Sequence, residues 1–233
     1  MNLQVLKGLI TALLLTLGIG AYGQDINTTD ERMEGWTTVW VEYNPTKLRT
    51  EISGDTDESL DGYSAGISHA FKVGVNSPLF FETGMGVQYS KWSDSAIGYF
   101  SPTYSSVRID VGVDIYSLKV PANIIYYIPV PNSDFSLAPF AGLLFRYNLS
   151  GTMDVKADQL NVRRELDLFS KTDMNEVSLD GKPWKRFQFG WQFGIKVRIG
   201  SRFIAGLSYE KDLTNIAYKN TIEVTSLTAG LTF

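Results

Sequence analysis

From Phe187 to Ile199 the chain alternates without interruption. Phe187, Phe189, Trp191, Phe193, Ile195, Val197 and Ile199 share one parity; Gln188, Gly190, Gln192, Gly194, Lys196 and Arg198 share the other. Successive side chains of a β-strand point to opposite faces, so a period of two held over this length specifies a strand. Its apolar face carries four aromatic rings and no polar group, whereas the other face carries two cations, two amides and two glycines. A soluble sandwich also alternates, apolar side inward, but seldom needs a strand so long and so aromatic. A barrel in lipid does, with apolar residues outside and polar ones inside.

The same reading gives seven more strands: Trp36 to Tyr43, Gly62 to Val73, Leu79 to Trp92, Arg108 to Ile128, Ser136 to Leu149, Arg202 to Leu213 and Thr221 to Phe233. The faces of the first are not assigned by the pattern. In the strand from Arg108 the apolar residues change parity, from Ile109, Val111, Val113 and Ile115 to Leu118, Val120, Ala122 and Ile124. That change predicts a β-bulge near Tyr116. Pro121 removes one ladder hydrogen bond from the same strand. In the last strand Ile222 and Val224 break the parity of Leu227, Ala229, Leu231 and Phe233, which predicts a bulge or a segment outside the membrane.

The connections divide by length. Gly74 to Pro78, Val130 to Ser133 and Gly200-Ser201 are tight turns, while Asn44 to Asp61, Ser93 to Val107, Gly151 to Lys185 and Asp212 to Asn220 are longer and polar. Short turns at one end and long loops at the other suit a barrel with periplasmic turns and external loops. The expected fold is therefore all-β: an eight-stranded antiparallel up-and-down transmembrane β-barrel.

Residues 1–23 read as a cleaved signal peptide. Lys7 precedes an apolar run from Leu9 to Leu17, and Ala21-Tyr22-Gly23 is a small-x-small site. The run falls short of the roughly 20 residues of a spanning helix. Residues 24–35 form a polar, flexible lead-in, and 36–233 form the barrel domain. The chain has no cysteine, which excludes disulfides, thiolate metal sites and a Cys nucleophile. The net charge of -4 gives no sign of a nucleic-acid partner.

These residues resemble the small outer-membrane β-barrel (porin-family) domain of Gram-negative bacteria. Gly62 to Ile67 and Gly84 to Ser90 are similar to its first hairpin. Tyr116 to Pro121 with Ile125-Tyr126-Tyr127 is similar to its mid-domain strand, which carries a proline and a tyrosine pair. Phe187 to Gly190 with Tyr209 to Ile216 is similar to its last third. The resemblance covers most of the chain after the signal peptide, least so the Gly151 to Lys185 loop, and implies an outer-membrane location. It makes Pro121 a family feature, and it names no substrate. An alternating strand that ends on Phe233 resembles the signal read by the barrel assembly machinery, which becomes an expected partner beside the outer-membrane lipid.

The interior of an eight-stranded barrel is just wide enough for side chains to fill. The residues expected to point inward include Lys72, Glu82, Asp114, Lys119, Arg146, Lys196, Arg198 and Glu210. The preferred reading is an ion-pair network that plugs the lumen, since isolated charges there are costly; the alternative is a small-solute channel. Glu82 is the expected partner of Lys196 and Arg198, which lie beside the Gly200 turn. His69, the single histidine, falls on the lipid-facing parity, away from any evident nucleophile, so the further alternative, a lipid-modifying enzyme, is disfavoured. Asp55, Asp57, Ser59 and Asp61 mimic the start of a calcium loop, but Leu60 and Gly66 stand where such a loop needs Gly and Glu. No catalytic, cofactor or metal residue is therefore assigned, and the expected role is structural or surface interaction without catalysis. The Gly151 to Lys185 loop reads either as a mobile loop, which is preferred, or as strand extensions that bind a surface partner by edge pairing.

Overall fold

The computed structural model describes residues 35–50, 58–74, 77–98, 107–157, 161–177, 182–217 and 220–233. The expected signal peptide and nearly all of the lead-in lie outside the described residues. Among those described, the strands are β1 (Gly35–Tyr43), β2 (Thr46–Thr50), β3 (Glu58–Lys72), β4 (Leu79–Gly98), β5 (Val107–Tyr126), β6 (Ile128–Pro129), β7 (Phe135–Ala157), β8 (Val162–Asp167), β9 (Phe187–Ile199), β10 (Phe203–Asp212) and β11 (Asn220–Thr232). One short helix, α1 (Lys171–Val177), lies between β8 and β9.

Eight strands close into an antiparallel ring in the order β1-β11-β10-β9-β7-β5-β4-β3, with β3 returning to β1. Closure pairs β1 with β11 from Thr38↔Thr232 to Tyr43↔Leu227, and Phe233 and Thr37 exchange backbone hydrogen bonds beyond it. No edge strand is left in the ring, as hydrocarbon requires. β2 continues β1 after a break at Asn44-Pro45 and pairs with both β11 and β3. Following the register once around, from Trp36 through Ala70, Glu82, Asn123, Gly142, Gln192, Glu210 and Val224, returns to this strand at Thr46, ten residues on. A stagger of that kind is what tilts barrel strands by about 35–45° and sets the bore.

The inward and outward parities expected for β3, β4, β7, β9 and β10 are those observed. β1 turns Trp36, Thr38, Trp40 and Glu42 inward. The outer wall exposes Tyr63, Phe71, Met85, Phe193, Phe203, Leu207 and Leu227. A row of tyrosines, Tyr43↔Tyr63↔Tyr89↔Tyr116, crosses four neighbouring strands on that wall, as an interfacial girdle does.

Beyond this row the expectation for β5 fails. Its parity never changes: Val113, Ile115, Ser117, Lys119, Pro121, Asn123 and Ile125 all point inward. The register does shift at Tyr116/Ser117, but only in the ladder with β7, where Tyr116↔Ser150 is followed by Ser117↔Asn148. The extra residue is Leu149 of β7. It is β7 whose buried parity switches, from Arg146 and Asn148 to Gly151 and Ala157. Asp114 consequently faces outward, where its carboxylate accepts the Tyr89 hydroxyl. β11 has no bulge either; Ile222 and Val224 face inward with Ser226, and the interior becomes apolar at that level. At Pro121 the ladder with β4 opens between Thr83↔Ala122 and Gly86↔Lys119, and the Thr83 hydroxyl donates to the Pro121 carbonyl (2.9 Å).

The described residues of the Gly151 to Lys185 segment are folded rather than a simple loop. β7 runs on to Ala157 and turns back as β8, α1 follows, and Trp184 N–H donates to Leu168 O (2.8 Å). Pro45 interrupts the strand that the sequence pattern ends at Tyr43, so β2 was legible only as loop.

Gly66 and Gly86 face each other across β3 and β4, and the Trp40 indole lies over both. A Cβ at either glycine would overlap that ring. Gly86→Ala is expected to destabilise the barrel by about 1–3 kcal/mol through overpacking. The measurement is the urea midpoint of the heat-modifiable gel band, and Trp40→Leu in the same chain should restore part of the loss.

Candidate functional site

The lumen is filled in layers from the turn end to the loop end. At the turn end Trp36, Phe80 and Tyr127 cluster, with ring centroids 4.6 to 6.1 Å apart, beside Ala70, Ile125, Ala138 and Phe140. The Arg198 guanidinium lies 5.6 Å from the Trp36 ring and donates to Ser201 O (3.0 Å). Arg198, expected to share Glu82 with Lys196, is thus placed against the aromatic floor and a turn carbonyl.

The middle tier is charged. Lys196 Nζ meets both Glu82 oxygens, at 2.6 and 2.7 Å, as expected, and Asn123 Nδ2 donates to the same carboxylate (3.1 Å). Gln192 Nε2 in turn donates to Asn123 Oδ1 (2.7 Å). Lys119 Nζ bridges Glu210 (2.7 Å) and Glu42 (3.3 Å). Arg146 forks between Glu210 (3.1 Å) and Asp212 (2.7 and 2.8 Å). Glu42 also accepts from Ser64 (2.8 Å), Asn44 (3.2 Å) and Thr228 (3.1 Å). Each of these charges is thus paired and hydrogen-bonded, the condition under which charge survives burial. Lys72 keeps the inward parity at the turn end.

A polar shelf follows, in which Ser117 donates to Asn148 (2.7 Å) and Gln88 to Ser90 (3.1 Å). Over it lies an apolar lid: Leu60, Val113 and Ile115 from the wall pack against Leu166 of β8, Met174 of α1 and Leu168 between them, with Trp184 alongside. Arg186 stacks on Phe169 (4.4 Å) and donates to the carbonyl of Leu149 (2.8 Å), which ties the lid to the β7 bulge. A cavity of about 40 Å³ remains among the middle-tier charges and one of about 20 Å³ beneath the lid. At roughly 10–15 Å³ per water these hold a few waters at most.

His69 faces outward as expected. Its Nδ1 is 2.8 Å from the hydroxyl of Thr37, its cross-strand neighbour, and its ring meets Phe71 edge-on (4.3 Å). Asp55 and Asp57 lie outside the described residues. Asp61 is exposed and accepts from Tyr43 (3.1 Å), and Leu60 belongs to the lid. Among the described residues no three His, Cys, Asp or Glu side chains converge as a metal site. The sequence reading missed Glu42 and Asp212, because the faces of β1 were unassigned and Asp212 fell where the expected strand and the following loop overlap. Trp40 was legible in principle from the paired glycines that make room for it.

Among solved structures, the attachment invasion locus protein Ail of Yersinia pestis matches at 14% identity and TM-score 0.41, covering 86% of this chain and 100% of its own. Neisserial surface protein A matches at 14% identity and TM-score 0.39, over 84% of this chain and 95% of its own. OprG of Pseudomonas aeruginosa matches at 7% identity and TM-score 0.33, over 86% and 96%. No curated protein sequence matches. Residues 39–218 match the family described as "Outer membrane protein beta-barrel domain". That match spans most of the chain and agrees with the closed ring and apolar wall: the protein belongs to this family of outer-membrane β-barrels.

Proposed function

We propose that this protein is a non-catalytic outer-membrane barrel with a side-chain-plugged lumen and a loop-end projection that makes contacts at the cell surface. The observation that carries the plug is the stack of aromatic floor, paired charges and apolar lid. A solute would have to displace all three. Arg146→Ala leaves Glu210 and Asp212 short of a buried cation, and is expected to cost about 3–5 kcal/mol, read from the urea midpoint. Removing Asp212 as well, in Arg146→Leu/Asp212→Leu, should cost less than the sum of the single changes.

The projection is formed by β4 beyond Lys91, β5 before Asp114, β7 beyond Ser150 and β8. From Tyr89 to Gly98, at about 3.3 Å per residue and the tilt given above, it rises on the order of 20 Å past the tyrosine row. Its outward face carries Lys91, Asp110, Asp114, Asp154 and Lys156. The edge of β8 suits strand addition less well than this face. Its residues are mostly charged and exposed, and its Asp167 N–H is already taken by the Asp173 carboxylate (3.0 Å). The surface partner is therefore expected on the charged face.

In planar bilayers the purified barrel is expected to give no stepwise currents; discrete conductance steps would replace the plug with the small-solute channel. On intact cells an impermeant amine reagent should label Lys91 and Lys171, which are exposed, and spare Lys119 until the barrel is unfolded. Labelling of Lys119 on intact cells, or protection of Lys171, would contradict the proposed arrangement.

A further inference from the structure

Among the described residues, two buried polar atoms of the side chains that line the small cavity beneath the lid have no protein partner. Arg146 commits Nη1 to Asp212 and Nη2 to Glu210, and its Nε–H is left without an acceptor. Gln88 donates through Nε2 to Ser90, and its Oε1 is left without a donor. Both side chains are about 3% exposed, and both line the same cavity of about 20 Å³. Gln188, the cross-strand neighbour of Arg146 on the inner face, brings a wholly buried amide that likewise has no protein partner.

The cavity's size and chemistry select the occupant. Room for roughly one water-sized probe excludes sugars, phosphates and hydrated ions. A guanidinium N–H in the lining disfavours a bare cation, and an amide oxygen in the same lining disfavours an anion. A molecule that both accepts and donates fits. Turning the Gln88 amide over does not remove the need, because its NH₂ would then face a second donor; a water oxygen accepts from both. The apolar roof of Leu60, Ile115, Ile216 and Ile222 separates this spot from the loop-end solvent.

We infer that the cavity is a binding site for a single structural water, which accepts from Arg146 Nε–H and donates to Gln88 Oε1, and which exchanges slowly because the lid covers it. The slow exchange rests on the sealed-lumen reading; the bridge itself does not. The water completes the hydrogen bonding of the guanidinium that clamps Glu210 and Asp212, so it belongs to the charged tier rather than to the lid.

The test is magnetisation transfer from water to the Arg146 Nε–H in the full chain, refolded in lipid nanodiscs and observed by NMR. The wild-type barrel should show this transfer. Gln88→Met, of equal length but lacking the acceptor, should lose it while keeping heat-modifiable migration. Leu168→Ala, which opens the lid without touching the cavity's polar walls, should keep the transfer and speed the exchange. A resolved Arg146 signal without transfer, in a barrel that carries no current, would overturn the water and leave the sealed lumen standing. Transfer together with stepwise currents would overturn the sealed lumen and leave the bridge standing. Undiminished transfer in Gln88→Met would show that the water is held without Gln88, and would overturn the bridge.

Discussion

Along β4 and β5 the outside medium changes from hydrocarbon to water while the alternation of side chains continues. Below the tyrosine row the outward face must be apolar and the inward face carries the polar groups. Above it the requirement inverts, because the projecting sheet meets water outside and the lid inside. β5 shows the whole inversion on one strand. Its inward residues run from Val113 and Ile115 at the lid, through Ser117 and Lys119, to Asn123. Its outward residues run from Asp110 and Asp114 to Leu118 and Ile124. The crossover falls at Tyr116, within the girdle itself.

The charged tier sits where it can specify register. A slip of one residue in any of these strands would move every side chain to the opposite face. In a strand such as β9 the slip would carry Lys196, Arg198 and two glutamines toward lipid, at a cost per cation that falls from about 2–4 kcal/mol at the midplane to about 0–1 kcal/mol near the interface. Net stabilisation by buried ion pairs is modest, and apolar residues of similar volume could fill the same space. A purely apolar lumen would leave the two faces of each strand alike, and the penalty against slipped closure would vanish. The pairs are better understood as fixing one arrangement of the ring than as its main source of stability.

This explains which parts were legible in the sequence. Parity within the membrane is a local property, so β3, β4, β9 and β10 and the Glu82–Lys196 pair could be read from alternation and nearness to a tight turn. Height is not local. In β5 the apolar residues do change parity, and the inference of a bulge followed soundly from assuming one solvent along the strand. The assumption fails at Tyr116, so Val113 and Ile115 were placed outside and Asp114 inside, each the reverse of what is observed. A register shift does exist at that level, but its extra residue, Leu149, sits in β7, where an apolar residue followed by Ser150 and Gly151 reads as the end of a strand.

The lid follows from the same inversion. Once β4, β5 and β7 extend into water, their inward apolar residues need cover, and the lumen at that level offers only the polar shelf. The chain between Ala157 and Phe187 supplies it: β8 brings Leu166 and α1 brings Met174 over the mouth, and Leu168 between them is fully buried. Seven residues make too short a helix to be stable alone. What holds α1 is the burial of Met174 together with the Ser170 carbonyl and hydroxyl at its start, which accept from Met174 N–H (3.1 Å) and Asp173 N–H (3.4 Å). The segment with the weakest sequence pattern is thus ordered by the strands it covers. The outward charges of the projection take no part in that packing.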